Sequence, residues 1–304
     1  MTLTKIHQFS GHNGSIYALA QGTSPEMILS AGADHFIAQW NLHTLQPDKF
    51  SAKFPSTVYC IFPIYEMNML CVGTSTGSIH LIDLKKKEEI KILKYHSAGI
   101  FDIQVSFKHQ LLISCGADGI LNSYDLVNFK HRNTFTISSL KLRGMAINED
   151  RNELALCDGN GSLHILNLPD FSTIKSFKAH ELSCNCVIYH PDGKHILTGG
   201  RDAHLNIWNL KNNYELVQSI PAHNFAIYDI KYLEGKNIFA TASRDKTIKL
   251  WNVDDFSFIL RINKETHEGH INSVNKLHWN TQEQVLVSAS DDRSLIVWKL
   301  SSFV

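Results

Sequence analysis

Five times along the chain an imidazole, a hydroxyl, a carboxylate and an aromatic ring recur at fixed separations of 18, 4 and 6 residues. The sets are His12, Ser30, Asp34 and Trp40; His96, Ser114, Asp118 and Tyr124; His180, Thr198, Asp202 and Trp208; His223, Thr241, Asp245 and Trp251; and His270, Ser288, Asp292 and Trp298. His, Ser or Thr, and Asp are the groups of acyl-transfer catalysis, in which a base activates one exposed hydroxyl beside an oxyanion site. One set could make an enzyme, whereas a set repeated at invariant spacing is architecture. Buried together, an imidazole, a carboxylate and an indole must satisfy one another's hydrogen bonds or cost about 1–3 kcal/mol each. The sets are therefore read as structural, with no catalytic residue among them.

Seventeen histidines also invite a metal reading. None falls at a His-Glu-x-x-His spacing, and His80 and His164 share a strand column with Ala38, Asn122 and Asn206, so no metal site is expected. Cys184 and Cys186 form Cys-x-Cys without a second pair, and Cys184 stands in a column otherwise filled by Ile16, Val58, Ile100, Leu142, Ile227 and Val274. Cys115 and Cys157 share a slot with Ala31, Gly73, Gly199, Ala242 and Ala289, which admits only small side chains. All six cysteines are expected as free thiols in a reducing cytoplasm. The glycines at 159, 161, 199 and 200 fall in tight turns rather than between a strand and a helix, so neither a phosphate loop nor a cofactor is expected.

The elements that hold these residues follow a period. Trp40, Ile82, Tyr124, Leu166, Trp208, Trp251 and Trp298 align in one column, at spacings of 42, 42, 42, 42, 43 and 47 residues. Each unit reads as short alternating runs such as IYALA, MILSAG and FIAQWNL, broken by Gly, Asp, Asn or Pro, with no apolar 3.6-residue period long enough for a helix. That is an all-β chain with about four strands per unit. One such sheet cannot bury both faces alone, so the sheets must pack on one another. The 304 residues are 43% hydrophobic, enough for a large core, and 29 basic residues balance 29 acidic ones. That balance gives no global attraction to nucleic acid or to an anionic membrane. The N-terminus has no charged-then-apolar leader, and the most apolar stretch is interrupted by Pro63, Glu66 and Asn68, so a non-exported protein is expected.

These residues resemble the WD-repeat β-propeller family, in which 40–45 residues form one four-stranded blade with Gly-His near its start and Trp-Asp near its end. The resemblance covers residues 2–300 and implies a single seven-bladed propeller of antiparallel blades over residues 1–304. The repeats fall at about 10–50, 51–93, 94–135, 136–177, 178–220, 221–266 and 267–304. It implies that each polar set above is a hydrogen-bonded tetrad pinning a tight turn. Units two and four depart from it: Phe54 and Ser138 replace His, Thr76 and Asn160 replace Asp, and Ile82 and Leu166 replace Trp. Those blades are expected to be held by packing alone. After Trp298 the chain is too short for a fourth strand, so residues 2–9 would complete the last blade and close the ring.

In the family, partners bind most often on the face carrying the Gly-His loops and the Asp turns. The matching columns here hold Tyr17, Tyr59, Phe101, Arg143 and Tyr228 near the centre, Lys141 two residues before Arg143, and Arg201, Arg244 and Asp291 beside the tight turns. Tyr and Arg dominate interface hot spots. Longer spacing before His270 adds residues on the same face, where Lys264, Glu265, His267 and Glu268 form a second candidate contact. The reading is a non-catalytic scaffold or adaptor: a monomeric propeller within a complex, binding proteins or peptides. An acidic or phosphorylated peptide would lie across blades four to six. A small-anion binder or enzyme using the central channel, and an RNA-associated scaffold, are the alternatives.

Overall fold

The computed structural model describes residues 2–301. It contains seven four-stranded antiparallel sheets, the blades of an all-β propeller, with one helical turn and one 3-10 turn as the only helices among the described residues. Blade 1 is β2 (Ile16–Gln21), β3 (Met27–Gly32), β4 (Phe36–Asn41) and β5 (Gln46–Lys53). Blade 2 is β6 (Val58–Ile64) to β9 (Glu88–Lys94), blade 3 is β10 (Ile100–Ser106) to β13 (His131–Thr136), and blade 4 is β14 (Leu142–Asn148) to β17 (Thr173–Lys178). Blade 5 runs from β18 (Cys184–Tyr189) through β19 (His195–Gly200) to β21 (Glu215–Pro221), and blade 6 from β22 (Ile227–Leu233) to β25 (Phe258–Ile262). Blade 7 joins the chain ends: β26 (Val274–Asn280), β27 (Val285–Ser290) and β28 (Ser294–Ser301) take β1 (Thr2–Ser10) as their fourth strand.

The chain divides into two compact units, one of residues 1–70, 82–88 and 228–304, the other of residues 71–81 and 89–227. In the first, blades 1 and 7 share a core in which Ile16, Ile28 and Trp40 meet Val287, Leu295 and Val297. Trp279 and Trp298 join Leu250, Ile248 and Ala240 in a second core of that unit. In the other unit Ile113 and Leu121 of blade 3 pack against Leu142, Leu154 and Leu156 of blade 4. There too, Ile165 and Leu163 pack against Ile196 and Trp208.

Second strands such as β27 (VLVSAS) are buried along their whole length, as expected of strands covered on both faces. Fourth strands are the reverse: β9 (EEIKILK) is exposed at all but Leu93, and its charges discourage another strand from adding at that edge. The slot read as small-only is fully buried at Ala31, Cys115, Cys157, Ala242 and Ala289. At Gly199 an added Cβ would come within 2.7 Å of both Cys186 Sγ and Ile227 Cγ2. All six cysteines are buried thiols, outside any disulfide. Among the described residues no helix is long and apolar enough to cross a membrane.

Candidate functional site

The polar sets meet in the fold with directional bonds. In blade 7 the Trp298 indole, which can only donate, bonds Ser288 Oγ at 2.8 Å, so the Ser288 proton goes to His270 Nε2 at 2.8 Å. His270 then donates from Nδ1 to Asp292 at 2.8 Å. Blade 1 repeats this with Trp40 on Ser30 (2.7 Å), Ser30 on His12 (2.7 Å) and His12 on Asp34 (2.8 Å). In blade 5 the corresponding separations for Trp208, Thr198, His180 and Asp202 are 3.0, 2.8 and 3.0 Å. Blade 3 has His96 between Ser114 (2.8 Å) and Asp118 (3.1 Å), with the Tyr124 hydroxyl only loosely engaged at 3.5 Å. In blade 6 Trp251 donates to Thr241 at 2.9 Å and Asp245 accepts from the Thr247 backbone at 3.0 Å, while His223 is buried. The proton order matches a hydrolytic triad, but Ser30, Ser114, Thr198, Thr241 and Ser288 are all 0% exposed. A hydroxyl in that position cannot meet a substrate.

The residue after each Asp position has a left-handed backbone in all seven blades: His35, Gly77, Gly119, Gly161, Ala203, Lys246 and Arg293 have φ of 69, 81, 75, 88, 67, 72 and 70°. For Ala or Arg this conformation costs about 1–2 kcal/mol, and glycine is spared it. The His and Asp clamp holds the turn in blades 1, 5 and 7, where that residue is not glycine.

Blades 2 and 4, lacking His and Asp in those columns, carry glycine there, and the expectation that packing alone holds them needs correction. In blade 4 a displaced carboxylate does the work. Asp158, two residues ahead of the column, accepts from Ser138 Oγ (3.0 Å), His164 Nε2 (3.2 Å), and the Asn160 and Ser162 N–H groups (2.9 and 2.8 Å). In blade 2 Thr74 Oγ1 donates to the Ser78 carbonyl at 3.1 Å beside Thr76, and His80 Nδ1 meets Glu89 at 2.5 Å. Burial raises the Asp158 pKa, but the bonds from His164, Ser162 and Ser138 outweigh it and hold the carboxyl below its ordinary range. Asp158→Ala should therefore destabilise the chain by about 2–3 kcal/mol, read as a shift in the urea midpoint at unchanged slope.

The face columns share a backbone device. Register slips by one residue between Ile16 and Ala18, Ile100 and Asp102, Leu142 and Gly144, Cys184 and Cys186, and Val274 and Lys276. Tyr17, Phe101, Arg143, Asn185 and Asn275 are thus the extra residues of five β-bulges, which re-aim a side chain out of the ladder. In the first unit the rings of Tyr17 and Tyr59 lie 5.6 Å apart. Burial raises the Tyr17 pKa, with Asp291, Tyr59 and Tyr228 adding to it against a bond to Ser15. Asp291 accepts from Asn275 Nδ2 at 2.8 Å. The added residues before His270 form α1 (Lys264–His267), capped by Asn263; Lys5 Nζ of β1 donates to the Glu268 carbonyl at 3.1 Å, and His267 bonds its neighbour Thr266.

In the other unit the Arg143 guanidinium lies 5.2 Å above the Phe101 ring, with Lys141 and Arg201 exposed. Arg244 and Tyr228 belong to the first unit, so neither unit holds the three arginines by itself. What sequence reading missed is an apolar row. Leu140, Leu182 and Phe225 are 47, 50 and 57% exposed, each two residues after the His position of its repeat. The signal for it lies in the sequence, where this column changes from Gly14, Ser56 and Ala98 to Leu and Phe.

The family model described as "Nucleolar protein 10-like, N-terminal domain" matches residues 38–298, and the "WD domain, G-beta repeat" model matches residues 3–41. Among curated proteins, the 66 kDa stress protein of Physarum polycephalum is 22% identical over 98% of this chain and 48% of its own. Nuclear distribution protein nudF 1 of Talaromyces marneffei is 29% identical over 44% of this chain and 29% of its own. THO complex subunit 3 of Arabidopsis thaliana is 19% identical over 94% of this chain and 90% of its own. The chain spans less than half the length of the first two relatives. With seven four-stranded sheets and a family model matched over most of its length, the chain belongs to the WD-repeat β-propellers, within the nucleolar protein 10-like N-terminal domain family.

Proposed function

We propose that the chain is a non-catalytic scaffold that binds an acidic or phosphorylated peptide on the face of residues 89–227. The observation that carries this reading is the Arg143 guanidinium, presented by a β-bulge and stacked over Phe101, with exposed Lys141 and Arg201 in the same unit. Guanidinium groups pair bidentately with carboxylate or phosphate. Leu140, Leu182 and Phe225 add exposed apolar surface in the same unit, which a bound partner would cover. One relative, THO complex subunit 3, is by its name a member of an assembly, which supports a scaffold role here.

The test is an affinity pull-down of the full chain, comparing wild type with an Arg143→Glu and Arg201→Glu double variant of matched melting midpoint. A bound protein should be lost from the variant, and its acidic segment, as a labelled peptide, should bind at least about 100-fold more weakly, since each charge-assisted bond contributes about 1.5–3 kcal/mol. Equal capture by both proteins would sink the reading. We also propose a reducing compartment, in keeping with six buried cysteine thiols. The cytoplasm is the first location to test, and the nucleolus named by the matched family is the second, by imaging the tagged chain.

A further inference from the structure

The hairpin joining β18 to β19 turns through Pro191, Asp192, Gly193 and Lys194. It is closed by His190 N–H donating to the His195 carbonyl at 2.9 Å and Gly193 N–H donating to the His190 carbonyl at 3.1 Å. These bonds set His190 and His195 opposite one another at the mouth of the turn, their rings edge to face at 5.9 Å. One ring nitrogen of each imidazole and a carboxylate oxygen of Asp192 lie within 4.8 Å of one another. Asp192 Oδ1 is 2.9 Å from His190 Nδ1, and Oδ2 is 2.7 Å from His195 Nδ1. The His190 side chain is 3% exposed, whereas those of Asp192 and His195 are 30% and 19% exposed. One ligand is therefore fixed from behind, and the other two face solvent.

Asp192 has an ordinary structural role, because Oδ1 accepts the Lys194 and His195 N–H groups at 2.7 and 3.1 Å and so shapes the turn. That role does not account for His190. Its Nδ1 accepts the Asp192 N–H at 3.2 Å while lying 2.9 Å from Asp192 Oδ1. With a lone pair on Nδ1, two electron-rich atoms face each other; with a proton there, the Asp192 N–H loses its acceptor. A proton or a metal cation on Nδ1 relieves the repulsion from Oδ1, and the cation alone would also draw on the His195 imidazole, whose ring nitrogen belongs to the same cluster.

We propose that His190, Asp192 and His195 form a binding site for a divalent transition-metal ion of the zinc, cobalt or nickel class. Two imidazole nitrogens and one carboxylate oxygen suit these borderline ions, whereas magnesium and calcium prefer all-oxygen sites. Three protein ligands leave further coordination positions for water or for a donor from a partner. The site is independent of the basic face and stands or falls without it.

The test is calorimetric titration of the full chain with zinc chloride alone, in buffer already containing magnesium and calcium, beside Asp192→Asn and His195→Ala. Asp192→Asn is the informative variant, because its amide oxygen still accepts the two backbone N–H groups that shape the turn. Wild type should bind one equivalent and melt higher with zinc, and each variant should bind at least about tenfold more weakly while melting like wild type without metal. Bound cobalt should give a spectrum of nitrogen and oxygen ligation without thiolate charge transfer. No binding to wild type at about 100 μM zinc, identical titrations in all three proteins, or a thiolate spectrum would each overturn the proposal.

Discussion

Removing residues 2–10 should leave a chain that does not accumulate in soluble, folded form. Strand β1 pairs antiparallel with β28 from Thr2 opposite Ser301 to Ser10 opposite Ser294, with one bulge between Lys5 and His7. It buries two large side chains: Leu3, 2% exposed, in the core that contains Trp298, and Phe9, 3% exposed, with its ring 5.0 Å from that of Trp40. Deleting a buried Leu or Phe costs about 2–5 kcal/mol each. Together they approach the about 5–15 kcal/mol that holds a folded protein together, before the lost backbone ladder is counted. The deletion would also uncover β28 as an unpaired edge, an invitation to intermolecular pairing. The check is soluble yield and far-ultraviolet circular dichroism, beside full-length Leu3→Ala/Phe9→Ala and Thr4→Ala/Gln8→Ala. The core pair should melt far below wild type, and the exposed pair within about 0.5 kcal/mol of it. A soluble truncated chain with the wild-type melting midpoint would show that three strands suffice for blade 7.

That β1 completes blade 7 was legible through the family resemblance, which implies that residues 2–9 supply the fourth strand of the last blade, and β1 does pair with β28. The polar sets of blades 1, 5 and 7 were equally legible, since invariant spacing shows that side chains share a structural environment. Other features were hidden for identifiable reasons. The bulges at Tyr17, Phe101, Arg143, Asn185 and Asn275 add one residue at the same place in each repeat, so the period stays constant and the alternation gives no warning. Asp158 escaped notice because it lies outside the expected column and reaches Ser138 and His164 only once the turn has formed. His190 and His195 match no familiar ligand spacing; the Pro-Asp-Gly-Lys turn brings them opposite. Periodic information survives in one sequence, whereas a local solution used once does not announce itself.

The tight turns of the clamped blades make a second large effect expected at Asp292→Ala. The Asp292 carboxylate accepts from His270 Nδ1 (2.8 Å), the Ile271 and Ser294 N–H groups (3.1 and 3.0 Å) and Ser294 Oγ (2.6 Å). Its side chain is 5% exposed and that of His270 is 0% exposed, so little water can replace these bonds. The next residue, Arg293, sits at φ 70°, held there without the freedom of glycine. Leaving several buried donors unpaired in a strained turn should cost about 3–4 kcal/mol and lower the melting midpoint by roughly 5–6 °C for a chain of this size. Burial alone would raise the Asp292 pKa, but the bonds from His270, Ser294 and Ile271 prevail and bring it down to about 2. Because the folded value lies below the unfolded one, the carboxylate's contribution is complete above the ordinary Asp range and declines as pH falls towards about 2. The difference corresponds to about 2 kcal/mol. Asp292→Asn, which keeps an acceptor but cannot ionise, should be less stable than wild type at pH 7 and lose less stability between pH 5 and about 2. Urea midpoints of the three proteins at both pH values decide it. Parallel acid losses in wild type and Asp292→Asn would place the acid sensitivity at other carboxylates, and an unchanged midpoint for Asp292→Ala would remove the clamp from the account of how this turn is held.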